Sequence, residues 1–107
     1  MANPAAIAEI MNQMWVKFLP DIQDRVAVLE KAAAAVSGGS LPSELREEAF
    51  SAAHKLAGIL GTFGLDEGTT LAREAEALYA GDAGPVRDGR PAALANQIGA
   101  IVASRNA

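Results

Sequence analysis

Several residue types are missing or scarce in this chain of 107 residues, and each scarcity excludes a class of protein. There is no cysteine, so disulfides, thiolate chemistry and most zinc sites are excluded, and a reducing compartment is favoured. Aromatic residues make up only 5% of the chain, whereas alanine supplies much of its hydrophobic half. Because alanine is the best helix former and strand-favouring residues are few, the composition predicts an all-α fold.

Basic charge and long apolar runs are also lacking. The formal net charge is −4 and the lysines and arginines are scattered, which argues against a nucleic-acid-binding protein. No apolar run approaches the roughly 18 residues of a membrane span, and the N-terminus lacks the pattern of a secretory signal. We therefore expect one cytoplasmic domain over residues 1–107, with no membrane partner; a free protein and a piece of a larger one are both compatible with it.

Helical spacing and turn residues divide the chain into five predicted helices. Asn3 is a candidate N-cap before Pro4, Pro20 predicts a break or kink, and Asp66 is a second candidate N-cap. Residues Gly81–Arg90 are rich in glycine and aspartate and form the longest predicted loop. The predicted helices span residues 4–19, 20–37, 42–63, 66–79 and 91 onward. Short links between amphipathic helices predict an antiparallel four-helix bundle with an additional N-terminal helix as a cap.

The first predicted helix carries large apolar side chains at helical spacing, and these are Ile7, Ile10, Met11, Met14 and Phe18. Trp15 lies among them. We expect Met11, Met14 and Trp15 to belong to the core of this helix and not to a cofactor site.

The third predicted helix separates an apolar stripe from a face that holds the only histidine. At about 100° per residue, the stripe lies within roughly 60° of Leu45. It consists of Leu45, Ala49, Ala52, Leu56, Ile59, Leu60 and Phe63. His54 lies about 180° from Leu45 and is therefore expected to point away from the bundle. The residues predicted on its side of the helix are Glu47, Phe50, Ser51, Ala57, Gly58 and Gly61.

Two glycines share this face, although a glycine inside a helix costs about 1 kcal/mol relative to alanine. Gly58 and Gly61 lie one and two turns beyond His54. Lacking a Cβ atom, they would leave the imidazole open to a phosphoryl group or to a partner's loop, unless they serve close packing of helices. Together with Phe50 and Ser51 they form the expected docking surface, although Phe50 would also suit a contact with a neighbouring helix.

A histidine titrates near neutral pH, so it can present a free ring nitrogen as a nucleophile. Phosphoryl transfer to such a nitrogen asks mainly for position and electrostatic stabilisation. Lys55 lies about 100° round the helix from His54, where its ammonium would either hold a phosphate or be an ordinary surface charge. One histidine without cysteine builds no common zinc site, which disfavours a hydrolase or metalloenzyme. The remaining alternative is a catalytically silent helical interaction or dimerisation module, in which His54 is incidental.

Residues 53–58 (AHKLAG), followed by FGL at 63–65, resemble the helix signature of histidine-containing phosphotransfer (HPt) domains. That pattern is approximately His-x-Leu-Lys-Gly with a further glycine six residues later, and the resemblance extends over nearly the whole chain. It implies that His54 is the phosphorylated residue, Leu56 a core position and Gly58 the open position. The usual basic residue three places after the histidine is Ala57 here, which leaves Lys55 as the nearby lysine.

The resemblance also implies a function and partners. The domain would be a phosphorelay intermediate, not an enzyme with turnover on a small molecule. It would exchange phosphoryl groups with aspartates of response-regulator receiver domains, or act downstream of a hybrid histidine kinase. We expect a monomer without a cofactor of its own, with magnesium supplied by the receiver domain.

Overall fold

The computed structural model describes residues 3–81, 86 and 89–106. These residues form four α-helices and no strand: α1 (Pro4–Ser37), α2 (Ser43–Thr62), α3 (Asp66–Tyr79) and α4 (Arg90–Asn106). The expected all-α helical bundle is thereby confirmed. Most of the loop predicted between residues 81 and 90 lies outside the described residues.

Contacts between opposite ends of neighbouring helices show that the bundle is antiparallel. The ring of Trp15 in α1 lies 5.1 Å from the ring of Phe63, which follows α2. Arg46, near the start of α2, donates a hydrogen bond of 3.1 Å to the carbonyl oxygen of Tyr79 at the end of α3. Arg105, near the end of α4, lies 5.3 Å from the centre of the Trp15 ring. Each helix thus packs against two others, and α2 lies between α1 and α3.

A single hydrophobic core fills the space between the helices. Its largest fully buried side chains are Ile22, Leu29, Leu56, Leu60, Leu94 and Ile98. Each contributes about 1.5–3 kcal/mol relative to an exposed position. Alanines occupy many of the other buried positions and let the helices approach closely. The predicted stripe of α2 is part of this core, although Ile59 and Phe63 are only partly buried.

The helix α1 continues through Pro20, so the predicted break there, and with it a separate N-terminal helix over residues 4–19, is wrong. A proline inside a helix removes one hydrogen bond and costs about 3 kcal/mol. Here Pro20 is exposed, and the carbonyl that loses its donor belongs to the exposed Val16, where water can bind. Trp15 and Ile22, on either side of the proline, are both buried in the same core. Their shared packing holds the two stretches in one helix.

The ends of the helices largely follow the predicted turn chemistry. The side chain of Asn3 accepts a hydrogen bond of 2.9 Å from the backbone N–H of Ala5, which confirms the predicted N-cap. Asp66 is the first residue of α3, and its N-cap is Leu65 instead. Gly64, with φ of +72°, lies between α2 and α3 in a conformation that glycine adopts readily.

The first turns of α1 extend beyond the rest of the bundle. This helix has 34 residues against 20 in α2, and at about 1.5 Å per residue it accounts for the 52 Å length of the molecule. Trp15 is its first buried residue, as expected, whereas Met11 is only partly buried. Met14 is 37% exposed, so its predicted core position is wrong. Ile7 and Ile10 are more exposed still. None of the described helices is long and apolar enough to cross a membrane.

Candidate functional site

His54 lies in the middle of α2 with 65% of its side chain exposed. The helical spacing predicted that His54 points away from the core stripe of α2, and the structure confirms this. Its neighbours in sequence, Ala53 and Leu56, are fully buried and hold this part of α2 against the bundle. The imidazole is therefore attached to a rigid element while its surface faces outward, as a side chain must be to meet another protein.

A carboxylate on the adjacent helix binds the imidazole. Nδ1 of His54 lies 2.6 Å from Oε2 of Glu76 in α3. Because an ionised carboxylate only accepts hydrogen bonds, this contact requires the proton on Nδ1. In the neutral ring, Nε2 then carries the free lone pair. The Glu76 side chain is only 20% exposed, so partial burial strengthens a bond that fixes both the tautomer and the ring orientation.

The sequence did not point to Glu76. The residue lies 22 positions after His54 on another helix, and no local pattern separates it from the other acids of α3. Only the packing of α3 against α2 brings the two together. The missed signal is therefore a tertiary one, the register between two antiparallel helices.

Two arginines neutralise acids of α3. Nη1 of Arg73 lies 3.8 Å from Oε1 of Glu76, the carboxylate oxygen that does not bind the histidine. Arg90, at the start of α4, holds Glu74 through two hydrogen bonds, of which the one from Nη2 measures 2.6 Å. These bonds, with a contribution from the positive charge, hold the pKa of Glu74 below its ordinary value. Glu74 thus links α3 to α4, whereas Glu76 belongs to the site.

The two glycines on the face of His54 differ in their surroundings. A Cβ atom on Gly58 would meet no other atom within 4 Å, so the helix surface beside the imidazole is open as predicted. A Cβ atom on Gly61 would lie 3.2 Å from Oγ1 of Thr69 in α3. Close helix packing, the other explanation for these glycines, therefore applies to Gly61 although its surface remains exposed.

Ala57 was predicted on the side of His54, and this is wrong because its exposure is 1%. Its side of α2 packs against α3, where Oγ1 of Thr69 donates a hydrogen bond of 2.9 Å to the Ala57 carbonyl oxygen. A helix wheel with one apolar stripe assumes one packed side. Here α2 contacts two helices, and Ala53 and Ala57 extend the buried arc towards the histidine.

The other predicted site residues are exposed but do not converge on the imidazole. Phe50 is 39% exposed and lines a cleft of about 450 Å³ between the start of α2 and the end of α3, where Tyr79 also lies. Ser51 and Lys55 are exposed, and Lys55 makes no hydrogen bond or ion pair with another described residue. Within the described ranges, no three acidic or histidine side chains come together as a metal site.

The chain is a helical bundle that presents one imidazole, oriented by a hydrogen bond, on its outer surface. The Hpt domain family has a model that matches residues 13–104, and the chain belongs to this family. The resemblance inferred from the AHKLAG segment is thereby confirmed. We found no match to the chain among curated proteins or solved structures.

Membership in the family has a direct consequence for function. Hpt domains take part in histidine phosphotransfer within phosphorelays, as phosphocarriers and not as classical enzymes. The family interacts with receiver domains and histidine kinases.

Proposed function

We propose that this domain carries a phosphoryl group on Nε2 of His54, which it accepts from one receiver-domain aspartate and passes to another. The observation that carries the proposal is the hydrogen bond between Nδ1 of His54 and the carboxylate of Glu76. It leaves Nε2 as the free nucleophile on an exposed ring, in a chain of the Hpt family.

The transfer balances without a further reactant. The lone pair of Nε2 attacks the phosphorus of the aspartyl phosphate, the N–P bond forms, and the P–O bond to the aspartate breaks as its carboxylate leaves. The proton on Nδ1 stays in its hydrogen bond with Glu76, whose negative charge stabilises the positive charge that develops on the ring. The reverse sequence returns the phosphoryl group to a second aspartate, with the imidazole as the leaving group.

The partner supplies what this chain lacks in the reaction. A transferring phosphoryl group carries charge on its three equatorial oxygens, which a magnesium ion of the receiver domain would stabilise. The receiver would dock over Phe50, Ser51, Gly58 and Gly61, with its loop closest to the open surface at Gly58. Each domain then holds at most one phosphoryl group, because His54 is the only histidine.

The direct test is to mix the domain with a phosphorylated receiver domain and magnesium, and to follow phosphate on the chain. We expect an acid-labile, base-stable phosphate, as a phosphoramidate bond requires. The variant His54→Gln keeps a polar side chain at an exposed position, so it should fold normally and acquire no label. Label on His54→Gln, or none on the wild type, would contradict the proposal.

Access to the imidazole is tested separately with Gly58→Leu. The added side chain meets open space in the isolated domain, so the fold should be kept, but it would occupy the surface that the partner needs. We expect the transfer rate to fall by about tenfold or more, a loss typical of a displaced reacting group. Ala100→Leu, on the exposed side of α4 and away from α2, is the matched control and should transfer at the wild-type rate. Unimpaired transfer by Gly58→Leu would contradict the docking surface.

The alternative function is a helical interaction module in which His54 is incidental. One observation favours it, because Ile7, Ile10 and Met14 expose apolar surface on the first turns of α1. The phosphorelay proposal instead takes the domain to be a monomer, and light scattering would measure its mass directly. A mass of two chains that returns to one in Ile10→Glu, together with no phosphate on the wild type, would favour the module.

A further inference from the structure

The charge around a phosphorylated His54 needs a cation that the proposed function has not yet assigned. A phosphoryl group adds about two negative charges at neutral pH. The carboxylate of Glu76 lies on the same ring, so like charges would be brought close together. Three cationic side chains on α2 and α3 are candidates for offsetting them: Arg46, Lys55 and Arg73.

The structure separates these candidates. Arg46 is already bound, since its guanidinium donates to the carbonyl oxygens of Tyr79 and Ala80 at 3.1 and 2.6 Å. Lys55 lies about 100° round α2 from the histidine, away from the side that contacts α3. Arg73 lies on α3 itself, with 62% of its side chain exposed.

The register of α3 places Arg73 next to the site. Thr69, Arg73 and Glu76 are spaced i, i+4 and i+7, which puts them in one row on α3. The first of them binds the Ala57 carbonyl and the last binds His54, so both ends of the row touch α2. Arg73 lies between these two contacts, opposite the turn of α2 that runs from His54 to Ala57.

The present contact of Arg73 leaves its guanidinium available. Nη1 is 3.8 Å from Oε1 of Glu76, longer than a hydrogen bond, and the side chain is mostly in water. A guanidinium has donors in a planar fork that suits two phosphate oxygens at once. It can therefore turn towards a phosphoryl group while remaining near Glu76.

Resting on the proposed function, we infer that Arg73 stabilises the phosphoryl group on His54, in place of a cation from α2. Ala57 is buried and carries no charge, and the neighbouring helix supplies the charge instead. In the free domain Arg73 offsets the charge of Glu76, and in the phosphorylated domain it offsets both the carboxylate and the phosphoryl oxygens.

A first experiment needs no receiver domain. The chain is phosphorylated on histidine with the small donor phosphoramidate, and the side-chain N–H signals of arginine are followed by NMR. We expect the Nε–H signal of Arg73 to shift and to exchange more slowly with water, and the signal of Arg105, at the far end of α4, to stay unchanged. An unmoved Arg73 signal in the phosphorylated domain would overturn the inference.

A second experiment measures the equilibrium constant for transfer from a phosphorylated receiver domain. Arg73→Gln should lower this constant by about five- to tenfold, as for loss of one hydrogen bond between charged groups. Arg73→Lys should recover part of the loss, and the loss should shrink at high salt. Lys55→Gln is the matched control, with an expected change of less than about twofold.

The outcomes distinguish the two proposals. A labelled wild type with an unchanged constant in Arg73→Gln overturns the role of Arg73 only, and a larger loss in Lys55→Gln assigns the role to the lysine. A wild type that accepts no phosphate from any receiver, yet shows the Arg73 shift after chemical phosphorylation, overturns the proposed function only. Thermal unfolding of each variant checks that the fold is unchanged.

Discussion

The two flanks of α2 are made of similarly small residues and do opposite things. On the α3 flank, defined here by Ala53 and Ala57 with Arg46 at its end, the two small alanine side chains are buried and let α2 and α3 come together. On the open flank, defined by Gly58 beside His54, a Cβ atom added at Gly58 would meet nothing within 4 Å. Small residues on α2 therefore lie either at a close contact between helices or at a surface that is left open. The packing of a neighbouring helix decides which.

The sharpest test of this comparison adds the same side chain at two consecutive positions. Ala57→Leu forces about three extra carbon atoms into the contact with α3, and we expect the free energy of unfolding to fall by about 2 kcal/mol. Gly58→Leu meets open space and replaces a poor helix former, so its stability should equal or exceed that of the wild type. Urea unfolding measures both. Equal losses in the two variants would show that the flanks do not differ.

The α3 flank also depends on a polar contact at its end. Arg46 donates hydrogen bonds to the carbonyl oxygens of Tyr79, the last residue of α3, and of Ala80, its C-cap, where no intrahelical donor is available. Arg46→Met keeps most of the side-chain volume and should lower the free energy of unfolding by about 1–2 kcal/mol. Lys55→Met, at an exposed position towards the open flank, should change it by less than about 0.5 kcal/mol. If Arg46→Met lowers the free energy of unfolding no more than Lys55→Met does, the hydrogen bonds of Arg46 do not stabilise the fold.

Adding a single methyl group probes the open flank more gently. Gly58→Ala should raise the free energy of unfolding by about 0.5–1 kcal/mol, because alanine favours the helix and its Cβ meets nothing. Gly61→Ala should gain less, since its Cβ would lie 3.2 Å from Oγ1 of Thr69. Thermal unfolding of the two variants under identical conditions compares them. A larger gain at Gly61 would mean that Thr69 yields freely and that the contact is not a constraint.

At neutral pH the smallest effect concerns the titration of Tyr79, which is buried and whose hydroxyl has no hydrogen-bond partner in the described part of the chain. Burial raises the pKa of Tyr79 above its ordinary value of 10.0. The folded state then keeps the phenolic proton at pH values where the unfolded chain has lost it. Stability from this group is complete below about pH 10 and falls as the pH rises further, by at most about 1.4 kcal/mol per pH unit.

Tyr79→Phe isolates this contribution, because the chain has one tyrosine. The difference in unfolding free energy between the variant and the wild type should stay constant from pH 7 to 9 and grow in favour of the variant above about pH 10. Parallel alkaline losses in both proteins would show that Tyr79 does not titrate differently on folding.

The parts of the fold that follow from local chemistry were predictable. Asn3 caps α1 as its side chain and the following proline indicate, and the position of His54 opposite Leu56 follows from helical spacing alone. The AHKLAG pattern identified the family, which the match over residues 13–104 confirms.

The remaining features depend on which helix lies next to which. Pro20 has the chemistry of a break, but packing on both sides of it outweighs the cost of one lost hydrogen bond. Met14 has the spacing of a core residue, but it is 37% exposed, whereas the adjacent Trp15 is buried between the end of α2 and Arg105 of α4. Ala57 and Glu76 acquire their places only when α3 docks, which no single-helix pattern records.

The unbroken α1 also bears on how the molecule opens. Residues 4–10 at the start of α1 are all exposed and precede Asn12, which accepts a hydrogen bond of 2.7 Å from Arg105 of α4. These first turns can unwind from the N-terminal end without disturbing a core contact, and their amide protons should exchange with solvent quickly. Amides after Ile22 are tied to the core and should exchange only when the whole bundle unfolds. Pro20, which has no amide proton, lies close to the border between the two regimes. The single helix α1 should therefore show fast amide exchange in its first turns and slow exchange after Ile22.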